Sequence, residues 1–171
     1  MSVKPILFNT AMVMAILDGR KTVTRRVVKP ATERKPCHAP YQTGDILYVR
    51  ETWSEWDGGY LYKAWNSPFP QPGQSFKMTW HPSIHMPKEA ARIWLKVTDV
   101  RVERLQDMWA SDTSKEGMLF ERPYTASEML KKFSQLWDST IKKQDLDTYG
   151  WDANPWVWVI EFERCEKPEE V

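Results

Sequence analysis

Residues 91–105 largely alternate apolar and polar side chains. That two-residue period puts one set of side chains on each face of an extended chain, so the segment reads as a long strand half buried against a core. A second run, residues 155–163, is strongly apolar and rich in tryptophan and valine, and closes the chain as another strand. Shorter β-like runs at residues 4–8, 22–28, 46–53 and 60–64 complete a set of five or six strands. With two or three helices of different lengths between them, they predict an α+β fold, a small twisted, partly closed β-barrel carrying helices at its rim.

The first helix is expected over residues 11–18, capped by Thr10, with Met12, Ile16 and Leu17 facing inward. Gly19 stands where a left-handed C-terminal residue ends a helix, and basic side chains follow it beside the negative helix end. Residues 111–117 suggest a short helical turn. Residues 125–141 suggest a capped amphipathic helix with Met129, Leu130, Phe133 and Leu136 on its inner face. Prolines at 30, 36 and 40 mark residues 29–43 as a loop, and Thr43-Gly44-Asp45 as a turn follows it. The Pro- and Gly-containing residues 65–80 read as an inserted loop, long enough to serve as a lid or binding element. Residues 82–87 form a connector constrained by a proline at each end. No linker leads to a second core, so residues 1–171 are expected to form one domain, with 165–171 as a frayed tail.

Apolar residues at 42% and charged residues at 27% match ordinary globular chains and disfavour disorder. The longest apolar run is far short of the ~20 residues that cross a bilayer, and the N-terminal residues carry no secretory pattern, so a cytoplasmic chain is expected. The two cysteines, Cys37 and Cys165, lie far apart without zinc-site spacing, and no cluster of histidines and carboxylates points to a catalytic metal. No cofactor is expected. A net charge of +1 conceals a basic patch: Arg20, Lys21, Arg25, Arg26, Lys29, Arg34 and Lys35 fall within sixteen residues that hold one acid, Glu33. Such a patch is either a solvated face or a phosphate contact. The ten tryptophans belong mainly to core or barrel ends, with one or two available to stack on a base.

The segment from Gly19 to Arg26 gathers a flexible backbone position, hydroxyls and four cations. A lysine set among other cations, or stripped of water, can lose its proton and act as a base; a threonine hydroxyl within reach can then attack an acyl carbon. Lys21 and Thr24 are that pair, with Arg20, Arg25 or Arg26 to hold a phosphate or an oxyanion. Residues three apart in a regular strand face opposite sides, so the turn after Gly19 must bend the chain for the pair to meet. The alternative is a helix stop followed by a charged edge strand. Glu116, beside Gly117, is a candidate carboxylate partner for Lys21 or a surface glutamate at a helix end. Glu51 is similarly open. His85, with Ser83 in the same proline-bounded turn, either binds a ligand or bonds the backbone. Trp53, Tyr48 and Trp80 are candidate stacking groups.

Residues 15–26, Ala-Ile-Leu-Asp-Gly-Arg-Lys-Thr-Val-Thr-Arg-Arg, resemble the opening motif of the ASCH (activating signal cointegrator homology) domains, relatives of the PUA RNA-binding fold. Residues 44–53, residues 91–97 continuing to Arg104-Leu105-Gln106-Asp107, and residues 156–162 follow in that family's order. The connector at 82–87 and the middle insertion look most like prophage-encoded members. The resemblance implies a PUA-like barrel with a cleft beside the first helix, suited to a nucleobase or RNA segment. One bacterial branch of the family consists of N4-acetylcytidine amidohydrolases, which use a lysine, a threonine and a glutamate; carried over by motif these are Lys21, Thr24 and Glu116. The insertion at 65–80 departs from that branch. Other members are associated with RNA binding or ribonuclease activity, so a modified nucleoside and single-stranded RNA are both implied partners.

Overall fold

The computed structural model describes residues 2–30, 38–56, 59–64 and 79–169. Its main sheet takes five strands in the order β1 (Val3–Leu7), β3 (Ile46–Arg50), β6 (Trp94–Arg104), β7 (Trp156–Cys165) and β2 (Val23–Val27). β1 and β3 run parallel, and every other pair is antiparallel. β4 (Trp53–Trp56) and β5 (Gly59–Tyr62) form a separate antiparallel hairpin. The long alternating run is β6, paired with β7 from Trp94↔Cys165 to Arg104↔Trp156 with a bulge between Val97 and Asp99. The bulge increases the local twist of the strand pair.

β7 feeds two apolar clusters because successive side chains leave a strand on opposite faces. Ile160 and Phe162 join Ile6, Val13, Ile16, Leu47, Leu95 and Val97 against α1 (Thr10–Leu17). Val157 and Val159 join Val23, Leu105, Met108, Phe133 and Trp137 against α3 (Ala126–Thr140). Two smaller helices, α2 (Asp112–Lys115) and α4 (Leu146–Tyr149), flank α3 in the chain.

The mixed α+β architecture is as expected, but among the described residues the hydrogen-bonded sheet is open between β1 and β2. In the chain, α1 connects these two edge strands. A side chain bridges the gap instead, Arg26 Nη2 donating to the Leu7 carbonyl at 3.1 Å.

Several boundaries differ from the sequence reading. The cap of α1 is Asn9, whose Oδ1 accepts from Met12 N at 2.9 Å, and the helix includes Thr10. The run at 46–53 breaks between Arg50 and Trp53. The connector at 82–87 contains a 3-10 turn, Ser83–His85, followed by another at Lys88–Ala90. Thr125 and Glu128 form the reciprocal capping box of α3, and burial on that helix centres on Phe133 and Trp137. Residues 65–78 of the expected insertion, and Cys37, lie outside the described residues. None of the described helices is long and apolar enough to cross a membrane.

Candidate functional site

The site begins with how α1 stops. Gly19 adopts φ of +74°, a left-handed conformation that other residues reach only at a cost. The next two amides, Arg20 N and Lys21 N, both donate to the Ala15 carbonyl, at 2.9 and 3.0 Å. This tight reversal folds the chain back under the helix end. Thr22 then ties it to two neighbours, its N–H donating to Lys115 O and its carbonyl accepting from Phe162 N, both at 2.9 Å. β2 starts only at Val23, so Lys21 precedes the pleat and the opposite-face difficulty does not apply.

A second glycine completes the approach. Gly117, directly after the C-cap of α2, has φ of +96°, and a Cβ there would lie 2.7 Å from Ala15 Cβ and 3.1 Å from Lys21 Cβ. Only a residue without a side chain lets the end of α2 pack this closely against the α1 turn. Glu116 is thereby delivered to Lys21.

The Lys21 ammonium is buried and donates all three protons: to Val23 O at 2.7 Å, Glu116 O at 2.9 Å and Glu116 Oε2 at 2.8 Å. Arg25 Nη1 holds the other carboxylate oxygen, Glu116 Oε1, at 3.0 Å. Arg25 is 3% exposed and Glu116 6% exposed, so this three-group contact is shielded from solvent. Burial pushes the Lys21 amine below its ordinary value of 10.5; the Glu116 carboxylate opposes that shift, while Arg26 and Arg25 add to it.

Thr24 is also buried, and its Oγ1 accepts from Arg26 Nη1 at 2.9 Å. Arg26 donates further to the Arg25 and Leu7 carbonyls, and among the described residues no carboxylate lies within ion-pair distance of it. Its guanidinium and the Lys21 ammonium lie 5.4 and 5.6 Å from the centre of the Phe8 ring. Burial lowers the Arg26 pKa, with Glu116 opposing the shift.

Lys21, Thr24, Arg25, Arg26 and Glu116 floor one cavity of about 220 Å³, open on one side. Phe8, Asn9 and Met12 bound it at the start of α1, and Phe133, Leu136, Trp137 and Thr140 bound it from α3. The Trp137 indole is fixed by donating Nε1–H to Tyr149 O at 2.8 Å. A polar, cationic floor under apolar and aromatic walls suits a small flat ligand with one polar end. Among the described residues no group of three or more His, Cys, Asp or Glu is disposed to hold a metal ion.

The other sequence candidates lie elsewhere. Arg20 sits behind the cavity, donating to Gly117 O at 2.5 Å and to Asp18 Oδ2 at 2.9 Å. Glu51, 1% exposed, accepts both Arg92 Nε and Nη2, at 2.9 and 3.0 Å, and its own N–H meets Met86 Sδ. Trp53 opens the β4–β5 hairpin and packs on Tyr60 and His81. Ser83 and His85 belong to the 3-10 turn beyond it. None of Glu51, Trp53, Ser83 and His85 lines the cavity. The sequence reading missed the walls. Phe133 and Leu136 were visible as a helical apolar face, but periodicity shows that a face is covered and not what covers it.

No protein-family model matches the sequence, and no curated protein matches it significantly. Solved structures do. A protein of Enterococcus faecalis V583, described under the family model DUF984, superposes with a TM-score of 0.51 at 10% identity, covering 96% of this chain and 80% of that one. An ASCH domain from Lactobacillus crispatus superposes with a TM-score of 0.47 at 13% identity, covering 95% of this chain and 79% of that one. The chain shares the overall α+β fold of the Enterococcus faecalis protein. Identity this low carries the fold alone and leaves the reaction to be argued from the site.

Proposed function

We propose that this protein is an ASCH-type amidohydrolase that removes the acyl group from an N4-acylated pyrimidine nucleoside. The observation that carries the reading is the joint presence of Lys21, Thr24 and Glu116 on one buried cavity floor, with Lys21 and Glu116 paired at 2.8 Å. Such a pair exchanges a proton without changing its total charge, so a neutral amine can arise at Lys21 while Glu116 holds the proton.

The chemistry follows from the groups present. The lowered Lys21 pKa favours the neutral amine, which takes the Thr24 hydroxyl proton as Oγ1 attacks the acyl carbon. Arg26, already donating to Oγ1, stabilises negative charge forming beside it. The tetrahedral intermediate collapses as the C–N bond breaks and the leaving exocyclic amine receives a proton from the Lys21–Glu116 pair. Water then cleaves the threonine ester, releasing the carboxylic acid and restoring the hydroxyl. The net reaction is amide plus water to acid plus amine.

The cavity supports a mononuclear ligand in preference to a strand of RNA. Two cations of the motif that a phosphate backbone would need are buried against carboxylates, Lys21 on Glu116 and Arg25 on Glu116, Asp112 and Glu103, and Arg20 is paired at the surface with Asp18. The RNA-binding reading predicts affinity for single-stranded RNA that falls steeply with salt. The hydrolase reading is tested by acetate release from N4-acetylcytidine in the wild type and in Lys21→Ala, Thr24→Ala and Glu116→Ala.

A further inference from the structure

Arg25 presents an unusual arrangement for a residue in a ligand cavity. Its guanidinium is surrounded by three carboxylates: Glu116 Oε1 at 3.0 Å from Nη1, and Asp112 Oδ2 at 3.3 Å and Glu103 Oε2 at 3.8 Å from Nη2. Asp112 is itself held, its Oδ2 accepting the Trp109 amide at 3.2 Å and its Oδ1 lying 3.5 Å from Lys115 Nζ. The Arg25 Nε–H is buried without a hydrogen-bond partner among the described residues. Both terminal nitrogens are thus engaged by carboxylates of the protein itself, and three elements, β6, α2 and β2, meet at this one side chain.

We infer that Arg25 is a positioning residue for the proton exchange between Lys21 and Glu116, and not a substrate-binding group. The geometry carries this. A carboxylate has two oxygens and can rotate; Arg25 fixes Oε1, so that Oε2 faces the Lys21 ammonium and no other group. Asp112 and Glu103 anchor Arg25 from the opposite side, which keeps the clamp in place when substrate enters. Arg25 also sets a second cation close to Lys21, and this adds to the lowering of the amine's pKa that burial begins. A planar guanidinium that spans two carboxylates at once does this; an ammonium, a point charge on a flexible stem, does not. The inference rests on the hydrolase reading for its catalytic consequence, but the clamp acts on Lys21 whether or not the substrate has been identified.

The test therefore uses two readouts on Arg25→Ala and Arg25→Lys. In steady-state hydrolysis of N4-acetylcytidine, both variants should lose about a hundredfold in kcat, the size of a misplaced general acid or base, with KM within about twofold of wild type. Millimolar guanidinium chloride, entering the space left in Arg25→Ala, should restore part of the lost rate. In competitive labelling with acetic anhydride, read at the Lys21 peptide by mass spectrometry, Lys21 should react several-fold more slowly in Arg25→Ala, and guanidinium should reverse this. A raised KM with kcat and Lys21 labelling unchanged would make Arg25 a substrate-binding residue and overturn the inference. Unchanged Lys21 labelling in folded variants overturns it whatever the kinetics. Absent turnover in the wild type sinks the hydrolase reading alone, and the labelling result still decides the clamp.

Discussion

Lys21 concentrates the physical argument. An ammonium with all its protons bonded is stable in a buried site, yet it is still separated from water, and that separation lowers its pKa. The sign for stability follows. Between its lowered folded value and the ordinary 10.5, the unfolded chain binds the Lys21 proton and the folded chain does not, so stability rises with pH through that window. Below both values the desolvation cost is constant. Lys21→Met should remove this component: urea midpoints measured up to pH 10 should climb less steeply in the variant than in the wild type. Parallel curves would show that Lys21 titrates alike in both states. The identity of the floor was legible in the sequence because Gly19 announced a chain reversal and the lysine and threonine stood just beyond it. Glu51, Trp53, Ser83 and His85 lie away from this cavity, and a side chain near a turn carries no information about which way the turn faces. Arg25 was legible as a cation and not as a clamp, because its three acids come from distant positions, Glu103, Asp112 and Glu116.

Two short elements decide whether that floor forms. The α1 turn and the end of α2 touch through Gly117, where a methyl group would fall 2.7 Å from Ala15 Cβ and the backbone has a positive φ. Gly117→Ala should cost about 1–3 kcal/mol from backbone strain alone, before the contact is counted. It should also depress hydrolysis, because the displaced segment carries Glu116; denaturation midpoints and kcat measured together would show both effects. A variant of wild-type stability would mean that the two ends do not pack as described. α3 contributes the opposite wall, and its start is secured by Thr125 accepting from Glu128 N while the Glu128 carboxylate accepts from Thr125 N and Oγ1. Those bonds, with Arg122, hold the Glu128 carboxyl down at about 2, so the box persists until strongly acid pH. The length and cap of α3 could be read from its sequence. Its role as a cavity wall could not, since the same apolar stripe serves a core or a ligand equally well.

Across the whole molecule, the open seam between β1 and β2 is what makes room for a site. A fully closed ladder would leave no gap, whereas here Arg26 bridges to the Leu7 carbonyl and both residues line the cavity. The sequence predicted the strands and a barrel only partly closed, but not that the opening falls between β1 and β2, because hydrophobic periodicity marks strands without fixing which edges pair. At the far end of β3, the Glu51–Arg92 pair joins the main sheet to the segment entering β6, with Arg92 lying 4.1 Å over the Tyr62 ring of the hairpin. Glu51→Ala leaves a partly buried cation without this carboxylate and should cost about 2–3 kcal/mol, below the full cost of breaking a buried pair because Arg92 is partly solvated. KM should stay unchanged; a raised KM at wild-type stability would return Glu51 to the binding site. The most direct test of the central claim is acetate released from N4-acetylcytidine by the purified chain. Turnover by the wild type, lost in Lys21→Ala, Thr24→Ala and Glu116→Ala while all three remain folded, is the predicted result. Hydrolysis that survives in folded Lys21→Ala, or none by a folded wild type, contradicts it.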